Sequence, residues 1–180
     1  SVSGSVLTIS SSTSFTNQGI HTACANGASW TGQAFSSGFY FETRLAYDPT
    51  LATGVNNDWV TPWSLPMEWL TGSVTHFTEL DFYEAFPSGV PPDPRFAVGD
   101  WNGNSSSFNS NDSAAGQWTQ DTNFHVYGTL WVPMALNGGT GLIKRYYDHN
   151  EVTSCAVSYT AGGLFSLLET QHQMVIINAG

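Results

Sequence analysis

The stretch FTELDFYEAF, residues 77–86, sets three carboxylates, Glu79, Asp81 and Glu84, in a run of aromatic and β-forming residues. Strand side chains alternate between faces with period 2, so Glu79 and Asp81 share a face while Glu84, five positions after Glu79, belongs to the other. In a regular strand Glu84 would join Thr78, Leu80 and Phe82 on the apolar side. A lone carboxylate there costs several kcal/mol or stays protonated. One extra residue inserted as a β-bulge around Phe82 and Tyr83 resets the parity and returns Glu84 to the face of the other two acids.

Similar two-faced runs recur on both sides of this stretch. They are SVLTIS (5–10), GFYFETRLAY (38–47), FHVYGTLWVP (124–133), GLIKRYYD (141–148), SCAVSYT (154–160) and HQMVIINAG (172–180), separated by Gly, Asn, Ser and Pro clusters. No stretch of ten or more residues holds a helical period with caps, although AGGLFSLLETQ (161–171) accommodates one short turn. Residues 87–123 are too long for an ordinary connection and too rich in Pro, Ser and Asn for a core, and read as loops around a short strand near RFAVGDW. The pattern predicts an all-β fold, a two-sheet antiparallel β-sandwich of the jelly-roll kind with a concave substrate groove, as one domain over residues 1–180. In FHVYGTLWVP the set Phe124, Val126, Leu130 and Val132 is expected to build the core. His125, Tyr127, Thr129 and Trp131 would then face the groove. In GFYFETRLAY, Phe39, Phe41, Leu45 and Tyr47 face the core and Tyr40, Glu42 and Arg44 the polar side.

Composition narrows the partners. Aromatic residues make up 14% of the 180 positions and charged residues only 10%, which favours β structure with aromatic clefts over helices. Four basic residues stand against fourteen acidic ones, a net charge of -10, so a phosphate backbone and an anionic membrane are repelled. No apolar run reaches the roughly 20 residues of a membrane span. The chain opens at SVSGSVLTIS without a basic, apolar leader and is read as a mature form. Cys24 and Cys155 match no zinc or redox spacing; a single disulfide or two buried thiols both fit, and the disulfide is the expectation carried forward. Asn104 and Asn111 head two Asn-x-Ser triplets, glycosylation acceptors that, with the scarcity of Lys, point to a secreted, extracellular protein. A monomer is expected.

Paired carboxylates can cleave a glycosidic bond, one protonating the leaving oxygen while the other attacks the anomeric carbon or activates water. Here the chain resembles glycoside hydrolase family 16, whose laminarinase and agarase-like branches carry Glu-x-Asp-x-x-Glu with a bulge. Glu79-Leu80-Asp81-Phe82-Tyr83-Glu84 is similar to that form. GFYFETRL resembles the family's Gly-Tyr-Phe-Glu-x-Arg strand, VTPWSLPMEWL its Trp-Pro-x-x-Trp stretch, and FHVYGTLWVP its Phe-His-x-Tyr-x-x-x-Trp strand. RYYDHNEV and HQMVIINAG resemble two further strands, in one consistent order over about residues 38 to 180. The sequence departs from the pattern at VGDW, where Gly99 occupies a position at which many members have His, and at its end, where members usually continue into a final strand.

The resemblance implies a concanavalin A-like jelly roll and an endo-acting, retaining glycoside hydrolase on a β-linked polysaccharide, most simply a β-1,3- or mixed-linkage glucan. Glu79 would be the nucleophile, ionised, and Glu84 the general acid/base with a raised pKa. Asp81 would lie between them. No cofactor or metal is expected, since His21, His76, His149 and His172 show no ligand spacing. Trp63, Trp101 and Trp131, as flat platforms for sugar rings, and His125, Tyr127 and Arg44 are the expected substrate contacts. The alternative is a lectin-like glycan-binding protein on the same fold that lacks turnover, motivated by Gly99.

Overall fold

The computed structural model describes residues 2–3, 6–7, 9, 18–48, 60–86, 93–103, 105–111 and 121–179. Asn104 lies outside them, and of Asn111 only the backbone is described. The alternating runs form strands almost throughout. In chain order these are β1 (Val2–Ser3), β2 (Val6–Leu7), β3 (Gln18–His21), β4 (Ala23–Asn26) and β5 (Ser29–Gly32). Then come β6 (Phe39–Leu45), β7 (Val60–Pro66), β8 (His76–Phe86), β9 (Asp93–Asn102) and β10 (Ser105–Asn111). The last five are β11 (His125–Val132), β12 (Gly141–Tyr147), β13 (Asn150–Glu151), β14 (Val157–Tyr159) and β15 (Gln173–Ala179).

Two main antiparallel sheets result, beside the two-stranded pairs β1–β2 and β4–β5. One has six strands in the order β10-β9-β8-β7-β15-β3; the other runs β13-β12-β11-β6, with β14 also paired to β12. The stretch 77–86 therefore sits within the first sheet, flanked by β7 and β9. The expected short strand near RFAVGDW is a full hairpin, β9 pairing with β10 from Phe96↔Asn111 to Asn102↔Ser105. The one helical turn of residues 161–171 is a 3-10 segment, Ser166–Glu169.

The main core lies between the sheets. Leu80, Phe82, Val98 and Val175 of the first sheet pack on Trp131, Ile143, Val157 and Tyr159 of the second, with Phe39 and Phe41 at the contact. Rings of Phe41 and Phe82 approach to 4.8 Å between centroids. A second interior cluster joins Tyr83 and Phe96 to Tyr127, Tyr147, Val152 and Cys155. On the far side of the six-stranded sheet, Leu65, Met67, Phe77, Met174 and Ile176 pack with Ala23 and Trp30 of the β4–β5 hairpin. Apolar burial of this extent, at about 25 cal/mol per Å², is what holds the layers together.

β6 keeps the expected faces, with Tyr40, Glu42 and Arg44 exposed between half-buried neighbours. β11 is inverted relative to expectation. Tyr127, Thr129 and Trp131 are buried, while Val126, Leu130 and Val132 are half-exposed. The polar atoms of the inward set are satisfied inside: the Trp131 indole donates to the Tyr159 hydroxyl at 2.6 Å, and Thr129 Oγ1 accepts from Arg145 at 2.7 Å. Cys24 is exposed and Cys155 buried, both as free thiols, so the expected disulfide is absent.

Candidate active site

β9 is regular from position 95 to 101, so its odd positions share one face, and that regularity is a ruler for β8. Phe77 pairs with Trp101, Glu79 with Gly99 and Asp81 with Ala97. Paired residues present side chains to the same face. The next pair is Glu84 with position 95. Two residues of β8, Phe82 and Tyr83, thus oppose the single residue Phe96, which is the bulge that the parity of the sequence requires. Phe82 and Tyr83 both turn inward and are buried at 0% and 1% exposure. Glu79, Asp81 and Glu84 are left together on the opposite face.

On the β7 side Trp63 pairs with Asp81, which puts its indole on the same face. Its Nε1 donates to Asn178 Oδ1 at 3.0 Å, fixing the ring. Trp101 stands beside Phe77, with rings nearly parallel at 6.1 Å. Trp63 and Trp101 are half-buried, as are Glu79 and Glu84, while Asp81 is buried. The face is a row of three acids bordered by two indoles.

Burial pushes the Glu79 carboxyl up to about 7; the negative charge of Glu84 adds to the rise, and the neighbouring Trp101 indole N–H opposes it. The group so raised is Glu79, which the sequence reading expected to stay ionised. The two carboxyls titrate as a coupled unit, whose apparent values belong to the pair. Behind the strand, between the sheets, lies a cation that sequence reading missed. Arg145 is 1% exposed and close enough to Asp81 for their charges to interact. Its signal was present in the alternation Ile143, Arg145, Tyr147, which puts it on the buried side of β12.

The structure separates the remaining expected contacts from this face. Trp131 and Tyr127 are core residues of the second sheet, on the inward face of β11. Arg44 is exposed on the outer side of that sheet, its guanidinium 4.3 Å from the Phe124 ring centroid. His125 is clamped between Asp148 at 2.8 Å and Asp121 at 3.1 Å and stacks on Tyr147, a loop-fastening role. Trp63 and Trp101 are the two expected aromatic contacts that accompany the acids.

No family model and no curated protein matches this chain. Solved structures do match in fold. The endo-β-1,3-glucanase from Pyrococcus furiosus is 18% identical with a TM-score of 0.50, over 82% of this chain and 52% of that one. The endo-1,3-β-glucanase from Streptomyces sioyaensis is 15% identical with a TM-score of 0.51, over 91% of this chain and 66% of that one. The chain spans about half to two thirds of the length of these structures. What is shared is the jelly-roll β-sandwich.

Proposed function

We propose that this chain is a retaining, endo-acting glycoside hydrolase of secreted type, working on a β-1,3- or mixed-linkage glucan. The observation that carries the reading is the bulge at Phe82 and Tyr83, which brings Glu79, Asp81 and Glu84 onto one face beside Trp63 and Trp101. In the first step the Glu79 carboxylate attacks the anomeric carbon. The bond to the glycosidic oxygen breaks, and that oxygen takes the proton of Glu84. In the second step Glu84 removes a proton from water, whose oxygen displaces Glu79 and restores both groups.

This cycle needs one proton on the pair, and burial together with mutual repulsion supplies the means of holding it near neutral pH. Asp81, buried between them and within reach of the charge of Arg145 behind the strand, holds the local charge balance. The two indoles offer flat apolar faces of the kind that stack on pyranose rings. The choice of β-1,3 linkage follows the two endo-1,3-glucanases that share the fold. A glycan-binding protein without turnover is the second reading, because Glu79 faces Gly99, which offers no side chain to the nucleophile.

The deciding experiment is release of reducing ends from laminarin and mixed-linkage glucan by the parent protein, E79Q and E84Q. The hydrolase reading expects cleavage by the parent and a loss of several orders of magnitude in both variants. Equal cleavage by all three would refute it. Glucan binding with no cleavage by the parent would select the second reading.

A further inference from the structure

Arg145 is the largest buried charged side chain among the described residues, and one of its hydrogen bonds reaches the strand residue beside the bulge. Its Nη2 donates to the backbone carbonyl of Ala97 at 2.6 Å. Its Nη1 donates to Thr129 Oγ1 at 2.7 Å, on the neighbouring strand of the opposite sheet. The guanidinium carbon lies 5.6 Å from the centroid of the Phe96 ring. Phe96 is the one residue that opposes Phe82 and Tyr83, and Ala97 is the partner of Asp81. The guanidinium therefore grips the short side of the bulge and ties it to the second sheet. Nε finds no partner, so this buried cation is retained despite an unsatisfied donor and a large desolvation cost. An apolar side chain would fill the same interior more cheaply.

We propose that Arg145 is a positioning residue for the carboxylate pair: by holding Phe96 and Ala97 against β11, it fixes the two-against-one register that keeps Glu84 beside Glu79. The proposal rests on the hydrolase reading for its catalytic consequence, but the register itself is independent of substrate. A planar fork with two hydrogen bonds in fixed directions specifies a backbone position in a way a point charge does not. The groups that bear on it are Asp81 on β8, Cys155 and the Phe96 ring on β9. Of these Asp81 is the carboxylate. The charge of Arg145 and the grip of Arg145 are thus separate contributions, and a lysine keeps the first while losing the second.

The test compares parent, R145K and T129V by carbon-detected NMR titration of the Glu79 carboxyl, without substrate. R145K keeps the cation near Asp81 but cannot bridge Ala97 and Thr129 together. Loss of register moves Glu84 away, so the Glu79 midpoint is expected to fall from about 7 by roughly one pH unit. With laminarin, kcat is expected to drop about 100-fold with KM little changed, as for misplacement of a reacting group by about 1 Å. T129V retains Arg145 and removes one anchor, giving a smaller shift in the same direction; it carries the test if R145K does not fold. A Glu79 midpoint unchanged in the folded variants would overturn the proposal, whatever their stability. If no protein cleaves glucan yet the midpoint shifts, the register role stands and the hydrolase reading fails.

Discussion

Phe82 and Tyr83 are consecutive in sequence and are both buried inside the sandwich, one in each of its two interior clusters. Consecutive inward side chains are incompatible with a regular strand, whose neighbours alternate. The pair therefore marks where the strand loses step with β9, and its consequence lies on the other face, where Glu84 rejoins Glu79. The interior clusters drive the bulge: a Phe fits against Phe41, and a Tyr fits against Tyr127, whose ring centroid is 4.1 Å away. Packing on one side of the sheet thus assembles the acids on the other.

The pH dependence of activity follows from the shared proton. As pH rises through about 7 the pair loses its last proton, Glu84 has none to donate, and kcat/KM for laminarin is expected to fall tenfold per pH unit above that point. E84Q removes the neighbouring negative charge, so the Glu79 carboxyl, followed by NMR, should titrate lower than in the parent. A Glu79 midpoint unmoved by E84Q would show that the two acids are not neighbours.

The same group sets a stability trend whose sign is opposite to that of an ordinary ion-paired acid. The folded state binds the Glu79 proton more tightly than the unfolded chain, whose reference value is 4.5. Stability from this group is therefore present below about pH 4.5 and is lost as pH rises to about 7, by an amount on the order of 3 kcal/mol. In E79Q no such loss occurs. Urea unfolding at pH 4.5 and pH 8 should show E79Q gaining on the parent at the higher pH, and parallel curves for the two proteins would contradict the raised value.

Free thiols in place of the expected bridge give a chemical prediction. Cys24 is exposed on the β4–β5 hairpin and should react with a thiol reagent in the native protein. Cys155 is 1% exposed, and burial pushes its thiol up, so it should react only on unfolding. Dithiothreitol should leave Tm unchanged. A reductant-induced fall in Tm would mean that a disulfide had been present.

Strands β6, β8, β11, β12, β14 and β15, the two faces of β6, the position of the bulge and the company of Trp63 and Trp101 were legible in the sequence, because each depends on local alternation or on flanking residues, whereas β3, β4, β5, β7 and β10, short or weakly alternating, were not. The faces of β11 were not. Its inward set, His125, Tyr127, Thr129 and Trp131, reads as polar because those side chains carry donors and acceptors. Their partners are Asp148, Arg145 and Tyr159, between 16 and 28 residues further along the chain. Alternation records polarity and not whether the polar atom is satisfied. The same blindness hid Arg145, whose acceptors lie on two other strands. The absence of a disulfide likewise depends on where β4 and the 3-10 turn Thr153–Cys155 sit in the fold, which spacing along the chain does not specify.

Two tryptophans that alternation could not tell apart now separate into a structural and a site residue, and their phenylalanine variants should differ in kind. Trp131 is 1% exposed, and its indole N–H reaches the Tyr159 hydroxyl, which in turn donates to Glu169 at 2.6 Å. W131F removes a buried donor and part of a core ring, and is expected to lower stability by roughly 2 kcal/mol while leaving the turnover of folded protein unchanged. Trp101 sits on the acid face, and its indole N–H favours the ionised form of the Glu79 carboxyl. W101F keeps a ring beside Phe77 and loses that donor, so the ionised form of Glu79 is less favoured and its midpoint should move upward. The alkaline limb of kcat/KM should move with it, and thermal stability should change less than in W131F. Urea unfolding beside a pH profile for both variants distinguishes the two roles: a shifted profile in W131F, or an unshifted one in W101F, would reverse the assignment.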